Sequence, residues 1–165
     1  MGHPKMMRKK YEKPKRPYDN LEEEKKILKE FGLRRKKEIM KAETILRDFR
    51  RRARILQASR NPEQEKIIIE KLKKIGLDVK SLDDILKLTV YDILSRRLQT
   101  ITFKKGFGNS IKHARQLIVH GNVSIDGRKI MFPSFLVPVE MEEKIILNKL
   151  MQKPENKIST QKNNL

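Results

Sequence analysis

Arg47, Arg50, Arg51 and Arg54 sit close together in one stretch of the chain. A guanidinium offers a rigid planar fork of donors that grips a phosphate with two parallel hydrogen bonds, which a lysine ammonium cannot copy. On a helix the four residues form one stripe. Only Glu43 and Asp48 lie nearby as ion-pair partners. Two acids are too few to neutralise the stripe, so phosphate binding is the better reading than a solvated charged face. A second basic set follows later. It comprises Arg96 and Arg97, then Lys104 and Lys105 beside a glycine turn, then Lys112, His113, Arg115, Gln116 and His120, then Arg128 and Lys129. A third set, Lys5, Arg8, Lys9, Lys10 and Arg16, stands near the N-terminus with Tyr11 and Tyr18 interleaved. Cations attract phosphates and aromatic rings stack on bases, a combination that suits RNA.

Catalysis is poorly served. There is no cysteine, which removes thiol nucleophiles, thiolate zinc sites and iron–sulfur clusters. The histidines are His3, His113 and His120, and Asp126 is the sole acid between residues 95 and 130. An active site needs a nucleophile, a base or a metal held in a pocket, and no such set is in view. Neither a cofactor, a metal nor a small-molecule substrate is expected. The glycines of the FKKGFGNS segment lack phosphate-loop spacing and read as a turn.

The whole composition agrees. Among 165 residues, 40 are Lys or Arg and 21 Asp or Glu, a formal net charge of +19. Such a charge opposes its own compaction and calls for a polyanion. It is unevenly placed: net +12 over residues 1–60, −1 over 61–94, +7 over 95–130 and +1 over 131–165. Two basic blocks flanking a near-neutral segment suggest a protein that grips its partner in two places. No apolar run approaches the ~18 residues of a membrane span, and the basic helices lack an inserting aromatic face. The basic start has no apolar stretch behind it and does not read as a secretory signal. Met6 stands where a myristoylation motif wants Ser or Thr.

Several elements must position these residues. Residues 1–20, with Pro4, Pro14 and Pro17, read as an extended basic arm. Asp19 or Asn20 can cap a helix through LEEEKKILKEF that stops at Gly32. A long helix is expected from about Arg35 to Ala58, with Ile39, Ala42, Leu46, Phe49, Ala53 and Leu56 on one face beside the arginine stripe. Asn61-Pro62 opens the next helix and Gly76 ends it. A short apolar segment runs from Leu82 to Leu88. Thr89 and Asp92 then resemble a capping box that opens one continuous helix, VYDILSRRLQTITF. Ser110 caps the helix IKHARQLIVH, closed by Gly121. After Asn122 the apolar period switches to two. Asp126-Gly127 predicts a type I′ hairpin turn, and Phe135–Val137 and Lys144–Leu147 are further candidate strands. A polar tail follows, expected disordered over 151–165.

The fold class read from this order is α+β. An N-terminal helical region, residues 21–93, precedes a small module, residues 94–150, of two helices and an antiparallel sheet. A module of about 55 residues cannot bury a large core, but it can present a rigid basic surface. Phosphate and shape recognition is the expected mode.

The stretch RRLQTITFKKGFGNSIKHARQLIVHGNVSIDGRKIMFPSF resembles the S-four RNA-binding domain. Ala114-Arg115-Gln116-Leu117-Ile118, His120-Gly121 and Asp126-Gly127 carry the likeness. GHPKMMRKKYEKPKRPY, Phe31-Gly32-Leu33 and Leu82-Asp83-Asp84-Ile85-Leu86 resemble the archaeal and eukaryotic type of the S-four family of ribosomal proteins over roughly residues 1–150. Gly108-Asn109 departs from the family's frequent Ala followed by Arg or Lys, and Tyr18 from its frequent Trp. The cysteine cluster that holds zinc in some bacterial members is absent.

The resemblance implies a cytoplasmic constituent of the small ribosomal subunit. It implies a primary binder of small-subunit rRNA, at a multi-helix junction of the 5′ domain, acting early in assembly. It further implies neighbouring small-subunit proteins as partners, mRNA near the entrance of its channel, and an influence on decoding accuracy. The alternative is a ribosome-assembly factor of the same family, bound only to precursor particles.

Overall fold

A computed structural model describes residues 11–12, 20–59 and 61–148. The expected arm lies almost wholly outside the described residues, and so does the polar tail.

The first helices follow from the apolar pattern. α1 (Leu21–Glu30) carries Glu22, Glu23 and Glu24 in its first turn, where the helix dipole favours acids. It ends at Phe31, and Gly32 turns the chain with φ +56°. α2 (Lys36–Ser59) is the long helix, with Ile39, Ala42, Leu46, Ala53 and Leu56 buried along one side. α3 (Pro62–Ile75) starts on Pro62 and closes on Gly76 in the left-handed conformation. Ser81 caps α4 (Leu82–Lys87) through a reciprocal box with Asp84, and Thr89 does the same with Asp92 for α5 (Val90–Ser95).

α2 is the spine. α1, α3, α4 and α5 all pack on it. Their shared core takes in Phe31, Leu33, Leu72, Leu77, Val79, Ile85 and Leu94 together with the buried side of α2. A second core, from Leu98 to Leu147, lies between α6 (Leu98–Lys104), α7 (Ile111–Val119) and a three-stranded antiparallel sheet. In that sheet β1 (Val123–Ile125) is central, flanked by β2 (Arg128–Lys129) and β3 (Ile145–Leu147). Ile125 faces Arg128 on one side and Ile145 on the other. The hairpin turn has φ +51° at Asp126 and +77° at Gly127, as a type I′ turn requires. One helical turn, α8 (Val139–Glu142), precedes β3.

Two expectations need correction. The helix expected to run unbroken from Val90 through Phe103 is two helices. Arg97 adopts an extended conformation, φ −72° and ψ 144°, between α5 and α6. The cause is the chain at 133–137, which crosses at that point. The Arg96 carbonyl accepts from the Val137 amide, and the Leu98 and Gln99 amides donate to the carbonyls of Phe135 and Pro133. Those carbonyls satisfy the free N–H groups at the start of α6. For the same reason Phe135–Val137 is not a strand of the sheet. It makes one isolated antiparallel bridge, Leu136 to Arg97.

Candidate nucleic-acid interface

The arginine stripe lies on α2. Arg51 and Arg54 are exposed. With Arg47, Arg50, Glu43 and Val90 they line an open cleft of about 440 Å³. Arg47 meets the Glu12 carboxylate, and the Glu12 amide donates to the Thr44 hydroxyl at 3.3 Å, so this short piece of the arm lies along α2. Both partners of the Arg47–Glu12 pair are largely exposed, and water and salt screen a pair of that kind heavily. Arg50 is half-buried and donates to the Leu88 carbonyl at the end of α4. Tyr11 is half-buried. Lys5, Arg8, Lys9, Lys10 and Arg16 lie outside the described residues.

The second basic surface is built on α6, α7 and β2. Lys104, Lys112, Gln116, His120, Arg128 and Lys129 are exposed. Ser110 caps α7 by accepting from the His113 amide at 3.1 Å. The His113 ring in turn accepts at Nδ1 from the Asn109 amide, at 3.2 Å, so the neutral ring carries its proton on Nε2. Lys105 donates to the Glu142 carbonyl and is only partly available to an outside partner.

Three cations expected at this surface turn inward. Arg97 is 4% exposed, and its Nη2 lies 2.6 Å from Glu38 Oε2. Arg115 donates from Nη1 and Nη2 to the two Glu38 oxygens, each at 3.0 Å. Arg96 donates to the Ile75 carbonyl at 2.7 Å, the Val137 carbonyl at 3.1 Å and Glu142 at 2.8 Å. Arg96 and Arg97 stand at the break itself, Arg96 closing α5 and Arg97 opening α6. Their acids, Glu38 and Glu142, stand far off in sequence, so no local pattern pairs them.

Glu38 is therefore the residue that inspection of the sequence missed. It sits in the first turn of α2. Its carboxylate accepts from Arg97, from both terminal nitrogens of Arg115 and from the Arg34 amide at 3.3 Å. Burial alone would raise its pKa. The hydrogen bonds and charges of Arg115 and Arg97 outweigh burial and lower it from 4.5 to about 2. Beside it Gln99, 1% exposed, donates to the carbonyls of Phe31, Gly32 and Ile111 and accepts from Arg115. Gly32 completes the contact: a Cβ there would lie 2.8 Å from Ile111 Cγ2. The turn between α1 and α2 is thus locked onto the first residue of α7.

Among the described residues no group of three or more His, Asp or Glu is placed to hold a metal ion, and no helix is long and apolar enough to cross a membrane. The arrangement is a rigid scaffold with two basic faces.

Residues 96–143 match the S4 domain, which covers α6, α7 and the hairpin. The similarity extends well beyond that module. The chain is 44% identical over 152 residues to small ribosomal subunit protein uS4 of Ignicoccus hospitalis, covering 88% of this chain and 92% of that protein. It is 41% identical over 152 residues to the uS4 protein of Methanothermobacter thermautotrophicus, covering 88% and 89%. Against the uS4 protein of Saccharolobus solfataricus it is 44% identical over 153 residues, covering 88% and 84%. The chain belongs to the uS4 family of small ribosomal subunit proteins.

Proposed function

We propose that this chain is a structural constituent of the small ribosomal subunit, in the cytoplasm, that binds rRNA directly and catalyses nothing. Its α2 stripe and its S4-domain face each contact phosphates of neighbouring rRNA helices. The residues offered for those contacts are Arg47, Arg51 and Arg54 on the stripe, and Lys104, Lys112, Gln116, His120, Arg128 and Lys129 on the module. Arg50, Lys105 and His113 contribute at the margins. The arm cations Lys5, Arg8, Lys9, Lys10 and Arg16, with Tyr11, follow the RNA backbone beyond them. Arg96, Arg97 and Arg115 hold the scaffold.

The observation that carries the proposal is the similarity to uS4 proteins over nearly the whole chain, joined to two exposed basic faces on one scaffold. Binding at a junction of rRNA helices in the 5′ domain, early in assembly, suits such a protein, because two faces fixed at one angle recognise folded RNA by shape. Contacts with neighbouring ribosomal proteins, a place near the mRNA entrance and an influence on decoding accuracy belong to the same proposal.

The test is binding of the full chain to purified small-subunit rRNA across a salt series. Each neutralised phosphate releases counterions, so log affinity should fall linearly and steeply with log salt. A shallow slope, or equal affinity for an unrelated RNA of the same length, would overturn the proposal.

A further inference from the structure

Glu38 is a partly buried acid in a molecule of net charge +19. It bonds three groups from two parts of the chain, and the two parts carry the two basic faces. Arg34 lies in the turn just before α2 and Glu38 in its first turn, while Arg97 and Arg115 belong to the S4 module. Gln99 is fully buried in the same junction and bonds carbonyls on both sides of it. Gly32 allows the approach that brings these groups together.

We propose that Glu38 and Gln99 are positioning residues for RNA binding: they touch no RNA, and they fix the angle between the α2 stripe and the S4-domain face so that both engage one folded RNA at once. The proposal rests on the rRNA-binding function given above and adds residues that carry no positive charge.

Two linked faces bind more tightly than one because the second contact is intramolecular, and its effective concentration depends on how rigidly the faces are held. A loosened junction lowers that concentration while leaving every phosphate-facing cation in place. Charge alone gives the opposite expectation. Replacing Glu38 by Gln raises the net charge by one and releases Arg97 and Arg115, so simple attraction to a polyanion would strengthen binding and steepen its salt dependence. The two ideas differ in sign.

The experiment measures affinity and salt slope for purified small-subunit rRNA with the wild-type chain, Glu38→Gln and Gln99→Met. Gln99→Met changes no charge and keeps the side chain's length. Thermal melts and circular dichroism fix a working temperature at which all three are folded. Both variants should lose about tenfold or more in affinity, with a salt slope shallower by at least about one unit as one face disengages. Unchanged or tighter binding by Glu38→Gln, with a steeper slope, would overturn the inference. Should Glu38→Gln not fold, Gln99→Met decides alone: unchanged affinity and slope would overturn it. Failure of the wild-type chain to bind this RNA would instead sink the proposed function, so the two failures are distinguishable.

Discussion

Glu38 of α2 and Arg115 of α7, 77 positions apart in the chain, form a two-pronged ion pair with both N–O distances at 3.0 Å. Arg97 bonds the same carboxylate from a third direction at 2.6 Å. A partly buried carboxylate with this many donors is held ionised far below its usual range.

Acid should therefore loosen the junction. The folded-state pKa of Glu38 is about 2 against 4.5 for the free group. The stabilisation it confers is complete above about 4.5 and is lost as pH falls from there toward 2. At 1.36 kcal/mol per pKa unit the loss is on the order of 3 kcal/mol. Urea unfolding of the wild-type chain and Glu38→Gln at a series of pH values checks this. The wild-type advantage should be widest near neutrality and shrink steadily below pH 4.5. A gap that stays constant through that range would show that the ion cluster does not report the protonation of Glu38.

Removing Arg97 should destabilise the fold, whereas removing Arg51 should not. Arg97→Ala leaves the Glu38 charge short of one buried partner, and breaking such a pair costs about 3–5 kcal/mol. Arg51 is exposed, and among the described residues it makes no side-chain hydrogen bond or ion pair whose loss would cost stability. Arg51→Ala and Arg54→Ala should melt like wild type, within about 0.5 kcal/mol. Each should reduce the salt slope of RNA binding by about one unit. If Arg51→Ala leaves affinity and slope untouched, the stripe is a solvated face.

Gly76→Ala should be costly for two independent reasons. Gly76 has φ +87°, and a Cβ there would lie 2.6 Å from the Arg96 Cζ. The guanidinium cannot simply swing aside, because it is held by the carbonyls of Ile75 and Val137 and by Glu142. Backbone strain of about 1–2 kcal/mol adds to the loss of those bonds. Calorimetry should show a melting temperature lower by at least about 4 °C. A melting point within a degree of wild type would mean that Arg96 has another place to go.

The sequence reveals what depends on neighbours along the chain. The apolar stripe of α2, the Thr89 and Ser110 caps, Gly76 and the Asp126-Gly127 turn all stand where local pattern puts them. What it conceals depends on segments that meet only after folding. The break at Arg97 is imposed by the Pro133–Val137 chain, and nothing between Val90 and Phe103 announces it. Arg96, Arg97 and Arg115 look like RNA contacts because an arginine's charge is visible in sequence while its partner is not. Glu38 was the only available hint: an acid beside Arg34, Arg35, Lys36 and Lys37, at the start of a helix that otherwise displays arginines.

The most direct test of the central claim is to follow this protein through sucrose gradients of a lysate of the source cells, at moderate and then at high salt. A small-subunit constituent that grips rRNA with two faces should stay with mature small subunits and translating ribosomes in both conditions, at one copy per subunit. Presence in precursor particles alone, with none on translating ribosomes, would contradict that role and identify an assembly factor built on the same scaffold.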